Sequence, residues 1–296
     1  MAGDGRHVSE YEPAMGGVIL GEAAHLLRNL GFAAQHAILI GGLVPGLLVL
    51  DPGAGRARHI GTADVDLCLS VALIEGDTVQ YERIETGLRK AGFEPLESTF
   101  AWKRGRGVTV EFFCPASGGR EPGDLFRPAA AEAPRAKHNM GPRLSAITLA
   151  AGEAISAGVV DVEREVELPD DAGRTIWTFR VTGLSGFLAA KTMALVGRDK
   201  PKDAYDIVWL LESWPGGPVG AAASVRETGL LGRRDVAEAM WRLRAEFANP
   251  DSLGARSYAR FMAPEGALRD DRVRLARQAT GAVAMFTAAI QAGFSG

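Results

Sequence analysis

Cysteine is scarce in this chain: Cys68 and Cys114 are its only two, and no Cys-x-x-Cys spacing occurs. That excludes a disulfide-stapled scaffold and a cysteine zinc site, and the pair reads as buried free thiols. Long apolar runs are also missing, so no stretch is expected to span a bilayer. The opening residues Met1-Ala2-Gly3-Asp4-Gly5-Arg6-His7 lack the basic-then-apolar pattern of a secretory leader, and a cytoplasmic protein without membrane partners is expected. Nor is there an excess of positive charge. A formal charge of -3 argues against a surface built throughout to coat nucleic acid. It leaves room for local basic grooves at Trp102-Lys103-Arg104-Gly105-Arg106, from Arg135 to Arg143, and along the arginine-rich stretches 233–244 and 269–277. There is no internal repeat.

What the chain does have is apolar residues, 47% of 296, enough for a substantial core in about two lobes. Its most informative stretch runs from Ala37 to Ser70. The run Ala37-Ile38-Leu39-Ile40 reads as a buried strand, and Gly41-Gly42 after it suit a sharp bend whose backbone N–H groups can cradle phosphates. Gly61-Thr62-Ala63-Asp64-Val65-Asp66-Leu67-Cys68-Leu69-Ser70 reads as a second strand. Alternation puts Asp64 and Asp66 on one face and Val65 and Leu67 on the other. Two carboxylates held on one face repel unless a cation lies between them, and hard oxygen ligands at this spacing suit Mg²⁺ bound together with substrate phosphates. The bland alternative is a solvated edge strand. A third acid, Glu111, sits in the β-branched and aromatic run Val108-Thr109-Val110-Glu111-Phe112-Phe113.

Alternating helices and strands fill the first two thirds of the chain. Helices are expected at 16–30 and 75–91, strands at 36–40 and 61–70, and a hairpin from strands near 93–100 and 108–113 joined through Lys103 to Gly107. Residues 116–150 read as an insert, with the Pro/Gly/Ala/Arg-rich part from Ala116 to Arg143 a long insert or flexible loop. A further hairpin is expected from 159–168 and 175–181 about Asp170-Asp171-Ala172-Gly173. From Leu184 the pattern is helical: 184–198, 201–211, a break at 214–220, then 236–247 and 273–292. Residues 1–15 are set apart as a disordered N-terminus, 16–182 as an α/β domain, and 183–296 as a mainly helical C-terminal domain.

Lys191 lies in a mostly apolar helix, where a lysine is costly to bury unless an anion meets it. Snorkelling to solvent is the alternative. Arg198 lies seven residues on, along the same face. Pro201 suits a first helical turn, which places Asp203 and Asp206 three apart on one face; the helix dipole alone is a sufficient reason for Asp203.

Together, Gly41-Gly42, Asp64-x-Asp66 and a distal strand acid resemble the signature of polymerase-β-like nucleotidyltransferases. The block Lys191-Thr192-Met193-Ala194-Leu195, Arg198 and Asp203-Ala204-Tyr205-Asp206-Ile207 resembles the Lys-x-x-Ala-Leu, Arg and Asp-x-x-Asp-Leu blocks of AbiEii-type toxins, the group that includes the MenT toxins. The resemblance covers these motifs, not the insert or the last 80 or so residues. It implies an α/β class with a mixed-sheet nucleotidyltransferase lobe followed by a mainly α-helical lobe. It implies Mg²⁺ held by Asp64, Asp66 and Glu111, and a nucleoside triphosphate met by Gly41, Gly42, Thr62, Lys191 and Arg198. Asp203 orients Lys191 or Arg198 or helps bind the nucleotide, with Lys191 and Asp203 in the catalytic set; the place of Asp206 is open. The basic residue the family carries before the first acid corresponds to Arg58 or His59. The implied acceptor is RNA, most plausibly a tRNA 3′ end, and an antitoxin protein is an implied partner. Two alternatives stand beside it: transfer to a small molecule of the antibiotic type or to a protein hydroxyl, and a non-catalytic regulatory protein.

Overall fold

The computed structural model describes residues 7–11, 15–70, 78–105, 107–116, 120–126, 144–198, 200–263 and 266–292. The chain is mixed α/β and forms two compact units, one of residues 14–44 and 62–182, the other of 1–13, 45–61 and 183–296. Segment 45–61 thus leaves the strand-rich part of the sequence to join the helical unit. Residues 7–11 do so too, and part of the stretch set apart as disordered carries a short 3₁₀ turn at Val8–Glu10; residues 1–6 and 12–14 lie outside the described residues. Among the described residues, no helix is long and apolar enough to cross a membrane.

Among the described residues, the first unit is built on a nine-stranded mixed sheet, ordered β3-β4-β5-β2-β1-β9-β8, with β7 beside β5 and β6 beside β7. Its strands are β1 (Ala37–Ile40), β2 (Asp64–Leu69), β3 (Phe93–Pro95), β4 (Ala101–Arg104), β5 (Thr109–Pro115), β6 (Leu125–Phe126), β7 (Ala146–Leu149), β8 (Val159–Glu167) and β9 (Arg174–Thr182). β1 is central, and all four of its apolar residues are buried, as a strand covered on both faces requires. It runs antiparallel to β2 and parallel to β9. The helix α1 (Met15–Leu30) buries Ile19, Ala23, Leu26, Leu27 and Leu30, a stripe at helical spacing. It lies close against β8, since a Cβ at Gly21 would overlap the Glu167 carbonyl oxygen. A second helix, α3 (Thr78–Lys90), packs on α1.

Two expectations are corrected here. The link from Lys103 to Gly107 is not simply a hairpin connection: β4 starts at Ala101, and β3, β4 and β5 form an antiparallel meander. The cause is apolar. Trp102 is fully buried, its indole donates to Thr99 O at 3.1 Å, and burial of such a side chain contributes about 2–3 kcal/mol. The stretch 116–150 is not all loop either. β7, with Ala146 and Thr148 buried, pairs parallel with the end of β5 and antiparallel with β6, and the helix α4 (Gly152–Ala157) follows. Residues 117–119 and 127–143 of that stretch lie outside the described residues. The hairpin β8–β9 forms about Asp170 and Asp171, whose φ angles of 58° and 55° are left-handed, a conformation aspartate tolerates in turns.

The second unit is helical: α2 (Val44–Leu48, its first residue in the sheet unit), α5 (Leu184–Gly197), α6 (Pro201–Ser213), α7 (Gly217–Glu227), α8 (Arg234–Glu246), α9 (Leu253–Met262) and α10 (Arg269–Ala292). α6 is its axis. Every residue of α6 except Glu212 is buried, against α5, α7, α9 and α10. Pro201 occupies the first turn, where its missing N–H costs nothing. α7 and α9 lie where the sequence has a general helical pattern without separate bounds. The expected break at 214–220 holds the start of α7, whose first turn carries Pro218 after Gly216 in the left-handed conformation. Segment 45–61 is fastened to α6 by Trp209, which donates to Ala57 O at 3.0 Å, and by the Arg56–Glu212 ion pair at 2.7 Å.

Candidate active site

In the sheet unit, β2 and β5 run parallel with Asp66 beside Glu111 and Asp64 beside Thr109. Residues in register across a sheet share a face, so Asp64, Asp66 and Glu111 project together; all three are half-buried, while Val65, Leu67, Val110 and Phe112 between them are buried in the core. β4 and β1 extend the rows. Ala101 flanks Glu111 and Lys103 flanks Thr109, while Ile40 flanks Asp66. Two carboxylates on neighbouring strands, about 5 Å apart, repel by roughly 3 kcal/mol at an effective dielectric near 20.

Gly41, directly after β1, has φ 72°. A Cβ there would overlap Asp66 Oδ2 and lie 2.7 Å from its Cγ. The bend and the acid are therefore one piece of structure: glycine is needed both for the left-handed turn and for the carboxylate to lie against it. Gly42 is buried in the 3₁₀ turn Gly41–Leu43 that follows. Thr62 Oγ1 lies 3.5 Å from Asp64 N, a long contact from the residue that leads into β2. Lys103 is the cation that sequence reasoning placed only in a possible basic groove; register sets it on the acidic face. Arg104, next to it, instead pairs with Glu22 at 2.7 Å and with Asp170.

Three carboxylates on one face of two adjoining strands are hard oxygen donors, of the kind magnesium takes and softer metals do not. Among the described residues, no three or more His, Cys, Asp or Glu side chains are gathered into a group that could hold a metal ion. The fit therefore rests on strand register and donor chemistry, in keeping with an ion that is commonly held by one or two carboxylates plus substrate phosphates.

In the helical unit, the residues of the Lys191 to Asp206 block meet in a buried ionic cluster. Lys191 Nζ lies 2.7 Å from Asp203 Oδ1 and 2.7 Å from Asp206 Oδ2, the second an ion pair without hydrogen-bond alignment. Arg198 grips Asp203 from two nitrogens, at 2.9 Å and 3.1 Å. Lys202 and His59 both donate to Asp206 Oδ1, at 2.7 Å and 2.9 Å. Both carboxylates are fully buried, whereas Arg198 keeps 51% of its side chain exposed. Three cations thus surround two anions, and Arg198 is the cluster's outlet to solvent.

Burial opposes ionisation of both aspartates, yet the cations prevail. Lys191 and Arg198 hold Asp203 below the usual carboxylate range, and Lys191, Lys202 and His59 hold Asp206 well below it. Burial likewise works against the charged lysines. Lys191, with two carboxylates against it, is still raised above an ordinary lysine; Lys202, with Asp206 as its chief partner, is lowered. Burial brings His59 down to about 4, against the pull of Asp206. Its two nitrogens define a neutral tautomer, Nε2–H donating to Asp206 while Nδ1 accepts from Gly61 N at 3.0 Å. The ring stacks on Tyr205 with centroids 5.2 Å apart and meets the edge of Trp209 at 4.9 Å.

Of the two basic residues considered before the first acid, Arg58 is exposed and His59 is buried. Asp206, left open from sequence, is the most heavily partnered group of the cluster. Lys202 was missed, although its i,i+4 relation to Asp206 on a helix was visible as a signal. Comparison with protein-family models finds no match for this chain, and comparison with curated proteins finds none.

Proposed function

We propose that this protein is a magnesium-dependent nucleotidyltransferase that moves a nucleoside monophosphate from a nucleoside triphosphate to an acceptor hydroxyl, within a mixed-sheet nucleotidyltransferase lobe. The observation that carries the reading is the register of Asp66 beside Glu111 on parallel strands, with Asp64 on the same face and Gly41 turned against Asp66. Asp64, Asp66 and Glu111 would hold the metal. When bound, magnesium neutralises the triphosphate and favours in-line displacement at its α-phosphorus.

The chain's own residues supply the rest. The backbone bend at Gly41 and Gly42 offers N–H donors to phosphate oxygens. Glu111 accepts the proton of the acceptor hydroxyl as its oxygen bonds to the α-phosphorus; the bond to the β-phosphate bridging oxygen breaks, and pyrophosphate leaves with that electron pair. Holding acceptor and phosphorus in line is the main catalytic contribution. In the helical unit, Arg198 is hydrogen-bonded to Asp203 and half-exposed, so its exposed side can meet a phosphate. Lys191 acts by holding Asp203 and Asp206 in place. By sequence resemblance the acceptor is RNA, at a tRNA 3′ end, and the activity is that of a toxin restrained by an antitoxin protein.

The test is incubation of the purified protein with each labelled nucleoside triphosphate, Mg²⁺ and total tRNA. Label entering RNA is the expected result, with Asp66→Asn and Glu111→Gln each lowering the rate at least about a hundredfold at unchanged fold. Label entering protein or a small acceptor moves the acceptor class, for which the acidic net charge gives some ground. No transfer with any nucleotide refutes the proposal.

A further inference from the structure

On the face that carries Asp64 and Asp66, the alternation of β2 continues to Ser70, four residues beyond Asp66 and about 13 Å away along the strand. There, at the far end of β1, a cavity of about 350 Å³ is lined by Gln35, His36, Ile38, Ser70, Ser156 and Arg180. Nothing in the proposed transfer chemistry uses it. Its size lies in the range of small-molecule sites, and among the described residues no carboxylate lines it.

The polar groups are ordered by their own hydrogen bonds. Gln35 Nε2 lies 3.1 Å from His36 Nε2. An amide nitrogen only donates, so His36 Nε2 accepts and the ring proton sits on Nδ1. Nδ1–H then points at Ser70 Oγ, 3.3 Å away, which leaves the Ser70 hydroxyl hydrogen for a ligand. Arg180 donates from one terminal nitrogen to Gln35 O at 2.5 Å. Asp161 is its cross-strand neighbour, yet among the described residues the two form no ion pair, and the other guanidinium nitrogens remain donors. Ser156 differs: its hydroxyl donates to Gly152 O at 3.0 Å, so toward the cavity it offers only lone pairs. The pocket therefore presents a cation, a hydroxyl donor and a hydroxyl acceptor.

We propose that this pocket binds a small phosphomonoester that also carries hydroxyl groups, its phosphate against Arg180 and Ser70 and a hydroxyl donating to Ser156. Binding here is separate from the transfer reaction and needs no metal.

Calorimetric titrations of the full chain in EDTA with ribose 5-phosphate, ribose and inorganic phosphate test this. The expected order is ribose 5-phosphate tightest, at least tenfold over inorganic phosphate, with ribose alone not binding. Arg180→Ala weakens ribose 5-phosphate at least tenfold, Ser70→Ala weakens it less, and Ser156→Ala removes the preference over inorganic phosphate. Asp66→Asn leaves all three titrations unchanged, so failure here and failure of transfer are read separately. If Arg180→Ala does not fold, Ser70→Ala and Ser156→Ala still decide. No binding by the wild type, or binding insensitive to the folded variants, overturns the proposal, as does binding lost in Asp66→Asn.

Discussion

Gly41 packs directly against the Asp66 carboxylate, leaving no room for even a methyl group between the bend after β1 and the acid on β2. The left-handed backbone at Gly41, φ 72°, adds about 1–2 kcal/mol of strain for any L side chain. Gly41→Ala is therefore expected to lower stability by roughly that amount and to swing Asp66 away from Glu111. A displaced reacting group costs on the order of a hundredfold in rate. Labelled-nucleotide transfer beside thermal unfolding checks this: a folded variant with wild-type turnover shows that the Asp66 position is irrelevant to the activity.

The cluster around Asp206 makes a different prediction, because its members differ in exposure. Asp206→Asn leaves Lys202 without its nearest carboxylate in a buried site, and breaking such a pair costs about 3–5 kcal/mol. Arg198→Ala removes a half-exposed partner and costs less than about 1 kcal/mol. If Arg198 meets a phosphate, its loss raises the KM for nucleotide with little change in melting temperature. Denaturant unfolding and nucleotide kinetics on the two variants separate the roles; equal destabilisation by both would mean that exposure does not grade the cluster.

Much of the sheet unit was legible because its signals are local. The apolar run Ala37–Ile40, the double glycine and the Asp64/Asp66 alternation each declare themselves within a few residues. What was not legible is long-range. Glu111 could be put on a strand, but its place beside Asp66 depends on a parallel pairing of strands separated by α3 and a meander, and no short-range pattern encodes that. β4 was hidden because Ala101-Trp102-Lys103-Arg104 is half polar, and only the burial of Trp102 fixes it. His59 sits in a stretch that reads as a polar return, Arg56-Ala57-Arg58-His59. Its burial follows from Asp206, 147 residues away in sequence, which needs a donor. The pocket at Ser70 draws its lining from several separate segments, beyond the reach of any motif.

The two thiols offer a simple check on the sheet. Cys68 and Cys114 are free and buried. Burial raises both, Cys114 to about 12 against the pull of Arg120, so neither is a thiolate near neutrality. A disulfide reagent is expected to label neither in the native protein over minutes and both at once in denaturant. Fast labelling of one thiol under native conditions would mean that the sheet opens locally at that strand.

His59 sets the acid limit of the helical unit. Its folded pKa, about 4, lies below the ordinary 6.5 because burial disfavours the charged ring. Between those values the unfolded chain takes up a proton that the native state refuses. Stability is thus full above about pH 6.5 and falls as pH drops toward 4, by up to about 1.4 kcal/mol per pH unit. Asp203 and Asp206, whose folded pKa values are depressed, add their own loss only at lower pH, as the medium falls through the unfolded carboxylate range near 3.9. His59→Gln keeps a donor for Asp206 and an acceptor for Gly61 but does not titrate. Its denaturation curves from pH 7 to 4.5 should show a slope shallower by about one proton. An unchanged slope would show that His59 is protonated in the folded state, and the neutral tautomer would have to be given up.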